Sequence, residues 1–179
     1  MRPLTGHLLL SNASLFDPNF RRTVVLIGHH DEDGAVGVVL NRPLGVPVDE
    51  AVPPLGDLVA PGEDLFEGGP VQPDGAVVVA LFSDPTKAGL LAFGSVGFLP
   101  EEPDDDHDGI VRARVFAGYS GWAAGQLEEE IGEESWLLTP ATEADVFTGE
   151  PDRLWQRVIA RLGPAYAVMR TMPTDPAMN

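Results

Sequence analysis

The chain contains no cysteine, which excludes a disulfide framework, a thiolate zinc site, a redox thiol and nucleophilic catalysis through sulfur. Lysine occurs once, and 11 Lys and Arg residues face 28 Asp and Glu, for a formal charge of −17. Such a charge repels a phosphate backbone, whose binding rests on neutralisation by Lys and Arg, so direct nucleic-acid binding is not expected. Long apolar runs are missing as well. No stretch approaches the roughly 20 residues of a membrane helix, and Leu8 to Leu10 is too short for the apolar region of a secretory signal. A cytoplasmic protein without membrane association is expected.

What is present fits one globular domain. The 179 residues are 44% hydrophobic and 22% charged, and a chain of this length buries roughly 70% of its unfolded surface on folding. Residues 1–165 read as a single domain and 166–179, rich in Pro and Met, as a mobile tail. Thr23 to Gly28 and Gly34 to Leu40 are β-branched runs separated by His29 to Asp33, with hairpin chemistry at Asp33-Gly34. Both are apolar on both faces, which predicts strands covered from each side. A short helix is expected near Val48 to Ala51, a strand over Ala76 to Phe82, an irregular stretch to Leu99 and an acidic loop from Pro100 to Gly109. Ile110 to Ala117 reads as a strand with Arg112 and Arg114 on its polar face. Gly118-Tyr119-Ser120-Gly121-Trp122 reads as a strand-to-helix corner leading into a helix over Ala124 to Glu133. A strand over Trp136 to Thr139 follows, then a helical turn capped by Thr142. The clearest helix is Asp152 to Leu162, whose Trp155, Val158, Ile159 and Leu162 share one face while Arg153, Arg157 and Arg161 line the other.

Each candidate for chemistry meets an obstacle. Asp104, Asp106, Asp108 and Gly109 copy the opening of a calcium loop, but Val115 stands where the bidentate glutamate belongs. His29 and His30 are adjacent, and adjacent strand residues point to opposite faces, so they cannot easily share a metal. Ser120 resembles a hydrolase nucleophile, yet Trp122 replaces the required glycine and no histidine follows it. Gly68-Gly69-Pro70 lacks the Gly-Lys-Ser/Thr ending of a phosphate loop. Arg21, Arg22 and Arg42 flank the hairpin and could take an anion or form internal ion pairs. No catalytic residue, metal site or cofactor is assigned.

Four blocks in order are similar to one family: Asp17-Pro18-Asn19-Phe20-Arg21-Arg22-Thr23-Val24-Val25, Gly34-Ala35-Val36-Gly37-Val38-Val39-Leu40-Asn41-Arg42-Pro43, Gly68-Gly69-Pro70-Val71, and Gly118-Tyr119-Ser120-Gly121-Trp122 with Gly125-Gln126-Leu127-Glu128. Together they resemble the YqgE/AlgH family. The resemblance implies a compact α+β domain in which a small closed β-barrel and additional strands are surrounded by helices. It also implies a bacterial cytosolic protein of a family whose biochemistry is unestablished. The family's label of transcriptional regulator is weakly grounded, and the charge of −17 further disfavours a direct DNA binder. Expected first is a non-enzymatic binding or regulatory protein acting through a protein partner or small ligand; second, an enzyme of unrecognised type acting on a small molecule. The motif glycines shape backbone, while Arg22, Asn41, Tyr119, Trp122 and Gln126 are the candidate ligand-binding residues, since pockets mix apolar walls with a few polar groups.

Overall fold

In the computed structural model, which describes residues 3–12, 21–100 and 107–171, the amino-terminal apolar run forms strand β1 (His7–Ser11). The β-branched runs become β2 (Val24–Asp31) and β3 (Gly34–Val39) of an antiparallel hairpin. β2 continues through His29 and His30, so the turn is shorter than the sequence predicts. His29 Nε2, 2.8 Å from the Asp31 carboxylate, and the Asp33 N–H, which donates to it at 2.9 Å, hold the Asp31 pKa below its ordinary value.

After Asn41 come β4 (Pro43–Pro47), α1 (Val48–Ala51), a 3-10 turn over Pro53–Leu58, β5 (Asp64–Glu67) and β6 (Val71–Phe82). The stretch expected as irregular holds a hairpin of β7 (Leu90–Phe93) and β8 (Val96–Phe98). Strands this short carry too little alternation to stand out. β9 (Ile110–Ala123) runs straight through Gly118 to Trp122, which corrects the strand-to-helix corner. The chain turns instead at Gly125, whose φ of +77° opens α2 (Gln126–Gly132). Then follow β10 (Trp136–Pro140), α3 (Glu143–Val146) and α4 (Pro151–Arg161). Residues 164–166 form a 3-10 turn and Ala167–Thr171 the short helix α5, with Tyr166 and Met169 against the core. Asp104, Asp105 and Asp106 of the calcium-like loop, and Asp17 to Phe20 of the first motif block, lie outside the described residues.

The ladders run in the order β10-β1-β2-β3-β9-β6-β8-β7, with β5 parallel to β9 and β4 beside β5. β9 therefore belongs to two sheets: its end pairs with β3 and its earlier part with β6 and β5. The fold is α+β with a large, mainly antiparallel sheet and few helices. Among the described residues no ladder closes the sheet into the small barrel that the resemblance implies. The sheet curls instead until the ring of Phe98 covers Gly28, where an added Cβ would lie 2.5 Å from the ring.

Both sheets are buried on two faces. Val24 and Leu26 enter a central core with Val38, Phe66, Val79, Phe116 and the apolar face of α4. Val25 and Ile27 enter a second core with Trp122, Leu127 and Trp136 under α2. Val78, Ala80 and Val115 form a third with Val48 and Leu58. Each fully buried Val, Leu or Ile contributes about 1.5–3 kcal/mol, which accounts for the absence of polar alternation in β2. On α4, Trp155 donates its indole N–H to the Ser11 carbonyl at 3.0 Å, and Arg161 grips Asp145 with two hydrogen bonds of 3.0 and 2.9 Å. Asp145 also accepts from Thr142, the helix-capping residue, at 2.9 and 2.8 Å.

Arg114 departs from the predicted polar face. It is only 3% exposed, donating to Glu63 Oε1 from Nε at 3.1 Å and Nη2 at 2.6 Å, and to the Val146 and Thr148 carbonyls from Nη1. Burial pulls its pKa down, opposed by Glu63, and its guanidinium lies 4.5 Å from the Phe66 ring centroid.

Candidate functional site

Arg22 and Asn41 meet at the open end of the hairpin, where antiparallel pairing of β2 and β3 brings them. Asn41 Oδ1 accepts from the Val24 N–H at 3.0 Å and its Nδ2 donates to the Arg22 carbonyl at 2.9 Å. Arg22 has a φ of +46°, a conformation that L residues other than Asn and Asp seldom adopt, and Asn41 fastens its carbonyl. The Arg22 guanidinium stacks 5.3 Å from the Trp155 ring. Arg42 donates to Thr23 Oγ1 at 2.9 Å and to the Arg21 carbonyl at 3.4 Å.

Trp122 and Gln126 lie at the other end of the hairpin, since Trp122 pairs with Ala35 and Ala123 with Gly34. The indole N–H groups of Trp122 and Trp136 both donate to Glu130 Oε2, at 2.9 and 2.7 Å, with their rings edge-on at 6.1 Å. Gln126 accepts from the Ala123 N–H at 3.0 Å and donates to Glu130 Oε1 at 2.9 Å. Beside this cluster, buried His30 accepts the Leu4 N–H at Nδ1, 3.1 Å, which leaves its proton on Nε2 to face Glu128 Oε1 at 2.8 Å. His29 is exposed, on the opposite face. Among the described residues, no group of three or more His, Cys, Asp or Glu could hold a metal ion.

The glycine motifs form a crossing of two backbones. A Cβ on Gly68 would lie 2.2 Å from the Gly118 carbonyl oxygen, and one on Gly69 2.3 Å from the Tyr119 carbonyl carbon. Val39 N–H and the buried Ser120 hydroxyl both donate to the Gly68 carbonyl, at 2.9 and 3.2 Å. Ser120 is thereby part of the crossing, with its hydroxyl directed at backbone.

Of the five candidates, Tyr119 lines a cleft between β3, β6 and β9 to which the other four do not contribute. This hollow of about 780 Å³ is lined by Val36, Gly37 and Val38 of β3, Leu55, Gln72 and Gly75 to Val78 of β6, Gly89, Leu90, Phe98 to Pro100, and Tyr119. Its lining is apolar except for the Tyr119 hydroxyl and the Gln72 amide. Neither side chain makes a hydrogen bond among the described residues. Gln72 was not anticipated. It opens a Gln72-Pro73-Asp74-Gly75 excursion, since β6 pairs Val71 with Tyr119 and resumes at Ala76 with Ala117. Its φ is +47°, and bulges with strained residues gather beside binding sites. Pro73-Asp74-Gly75 is turn chemistry that could have revealed the excursion.

The chain matches the AlgH-like family (DUF179) over residues 8–167. It is 39% identical to the UPF0301 protein of Streptomyces avermitilis over 98% of this chain and 95% of that one. With the UPF0301 protein of Chlorobaculum tepidum it shares 36% identity over 97% and 95%. A crystal structure of a Corynebacterium diphtheriae protein superposes with a TM-score of 0.84 at 27% identity, covering 96% of this chain and 94% of that one. The solution structure of the AlgH protein from Pseudomonas aeruginosa gives 0.69 at 30% identity, over 96% and 95%.

Proposed function

The chain belongs to the AlgH-like family, and from that premise we propose that it is a cytosolic, non-enzymatic binding protein whose recognition site is the cleft between β3, β6 and β9. The observation that carries this reading is the pairing of an apolar hollow with two polar side chains, those of Tyr119 and Gln72, that make no hydrogen bond among the described residues. Ligand pockets have this composition: broad apolar walls for affinity and a few polar groups for orientation. Arg22, Asn41, Trp122 and Gln126 are assigned to architecture, because their polar groups tie strands and helix together. Tyr119 and Gln72 are assigned to recognition. Among the described residues no carboxylate, histidine, lysine or arginine lines the cleft, which favours binding over acid–base chemistry.

A neutral solvatochromic dye such as Nile red tests the site directly. Ala76 lines the cleft and is exposed, so Ala76→Trp fills the hollow without disturbing the core. Dye affinity is expected to fall at least about tenfold, roughly the loss of one good apolar contact set. Unchanged dye binding by the filled variant would remove the cleft from consideration.

A further inference from the structure

Resting on the cleft as the recognition site, we infer that its occupant is an extended segment of a partner protein. The segment adds a strand to the free edge of β6 and carries alternating apolar side chains with basic flanks.

Backbone groups of a strand alternate between its two neighbours. The Val78 carbonyl points away from β9 and accepts from the Leu99 N–H at 3.0 Å. On that edge β8 covers only Val79 to Leu81. Ala76 precedes Val78 by one full pleat, so its N–H and C=O point to the same side, where no strand lies among the described residues. Among the described residues the edge is unpaired at the point where it enters the cleft.

The lining confirms that the cleft crosses this edge instead of lying on one face. Val38, Tyr119 and Phe98 belong to the central core side of β6, whereas Leu55 and Leu99 belong to the third core on its other face. A small apolar molecule on one face would leave the opposite wall and the Ala76 backbone groups to water. An added strand satisfies all three, because its backbone pairs with the edge and its alternate side chains point to the two walls. The excursion that begins at Gln72 ends the pairing surface, so the segment is short. Charge selects its flanks: the protein carries −17, Asp74 stands in the excursion beside the cleft, and no basic side chain lines it. Complementary potential therefore favours Lys or Arg on the partner.

The test is fluorescence anisotropy with a short fluorescein-labelled peptide whose central residues are Val and whose two ends are Lys, at physiological salt, against the full chain. Binding is expected, weakened about tenfold or more when alternate peptide amides are N-methylated, since backbone pairing is lost while charge remains. Ala76→Pro should weaken it by a similar factor with unchanged circular dichroism, because proline is tolerated where the N–H faces no strand. Equal affinity for the methylated peptide, or unaltered binding by a folded Ala76→Pro protein, would reduce the contact to net charge and overturn the inference. Should that variant not fold, amide exchange of the wild-type chain decides. Ala76 should slow about tenfold with peptide bound, and an unchanged rate is equally fatal. A chain that self-associates through this edge, with association abolished by Ala76→Pro, would put a second copy in place of the partner. If Nile red binds and the peptide does not, the strand-addition inference fails while the cleft stands. If neither binds, both fall.

Discussion

Trp122 and Tyr119 are near neighbours on β9, in the same motif, yet they belong to two differently built regions. At the turn end of the hairpin, Trp122, Gln126 and Trp136 all direct hydrogen bonds at Glu130. At the cleft, Tyr119 and Gln72 direct their polar atoms at no group among the described residues. A motif residue type therefore does not say whether its polar group is consumed by the fold or kept for something outside. Burial and partner count together decide, because a buried polar group must be bonded, whereas half-buried Tyr119 and exposed Gln72 leave their polar atoms open to solvent or to a ligand.

The sharpest way to break this contrast is on the closed side. Arg114→Ala should destabilise by about 3–5 kcal/mol, the usual result of removing one partner of a buried ion pair. It strands Glu63 and removes the donor to the Val146 and Thr148 carbonyls. Urea unfolding measures it, and a loss below about 1 kcal/mol would show that water replaces the guanidinium. Glu130→Ala comes next, with an expected cost of about 2 kcal/mol, since two indole N–H groups lose their acceptor. Tryptophan fluorescence during unfolding reports on both rings. Glu130→Gln keeps one acceptor oxygen and should lose about half as much. Equal losses from the two substitutions would mean that the negative charge, and not the geometry of the two N–H donors, holds the cluster.

Asn41→Ala should cost about 1–2 kcal/mol by leaving the Val24 N–H and the Arg22 carbonyl unbonded. No effect would show that the hairpin ends do not depend on it. Legibility differed between these regions for physical reasons. The hairpin, the capped turn at Thr142 and α4 were readable because each is specified locally, by β-branched runs, a cap and a helical stripe. The meeting of Arg22 and Asn41 followed from the hairpin alone. Tyr119 and Gln72 were different. Their placement depends on a pairing of β6 with β9 that skips Gln72 to Gly75, and no local period encodes a long-range register. Arg114 misled because alternation along β9 says which residues share a face, and not which face another element will cover. The reading of Gly118 to Trp122 as a corner failed likewise: Gly118, with a φ of +68°, bends the strand around the Gly69 crossing without ending it.

The smallest expected effect bears most directly on the open side. Tyr119→Phe removes only the hydroxyl, which has no hydrogen-bond partner among the described residues. The ring still packs against the central core, where Tyr119 is half-buried. Unfolding free energy should therefore stay within about 0.5 kcal/mol of wild type, the range of substitutions that break no bonded feature. Tyr119→Ala, by contrast, should cost about 2 kcal/mol, less than a fully buried aromatic because part of the ring already faces solvent. The pair separates the two roles of the residue: the ring belongs to the fold and the hydroxyl to the cleft. Stability loss above about 1 kcal/mol for Tyr119→Phe would mean that the hydroxyl is bonded inside the folded chain. In that case Tyr119 would join Trp122 on the closed side and Gln72 alone would remain to orient a ligand. An unchanged stability together with weaker capture of the Val-Lys peptide would place the hydroxyl at the bound strand, where only a partner can satisfy it.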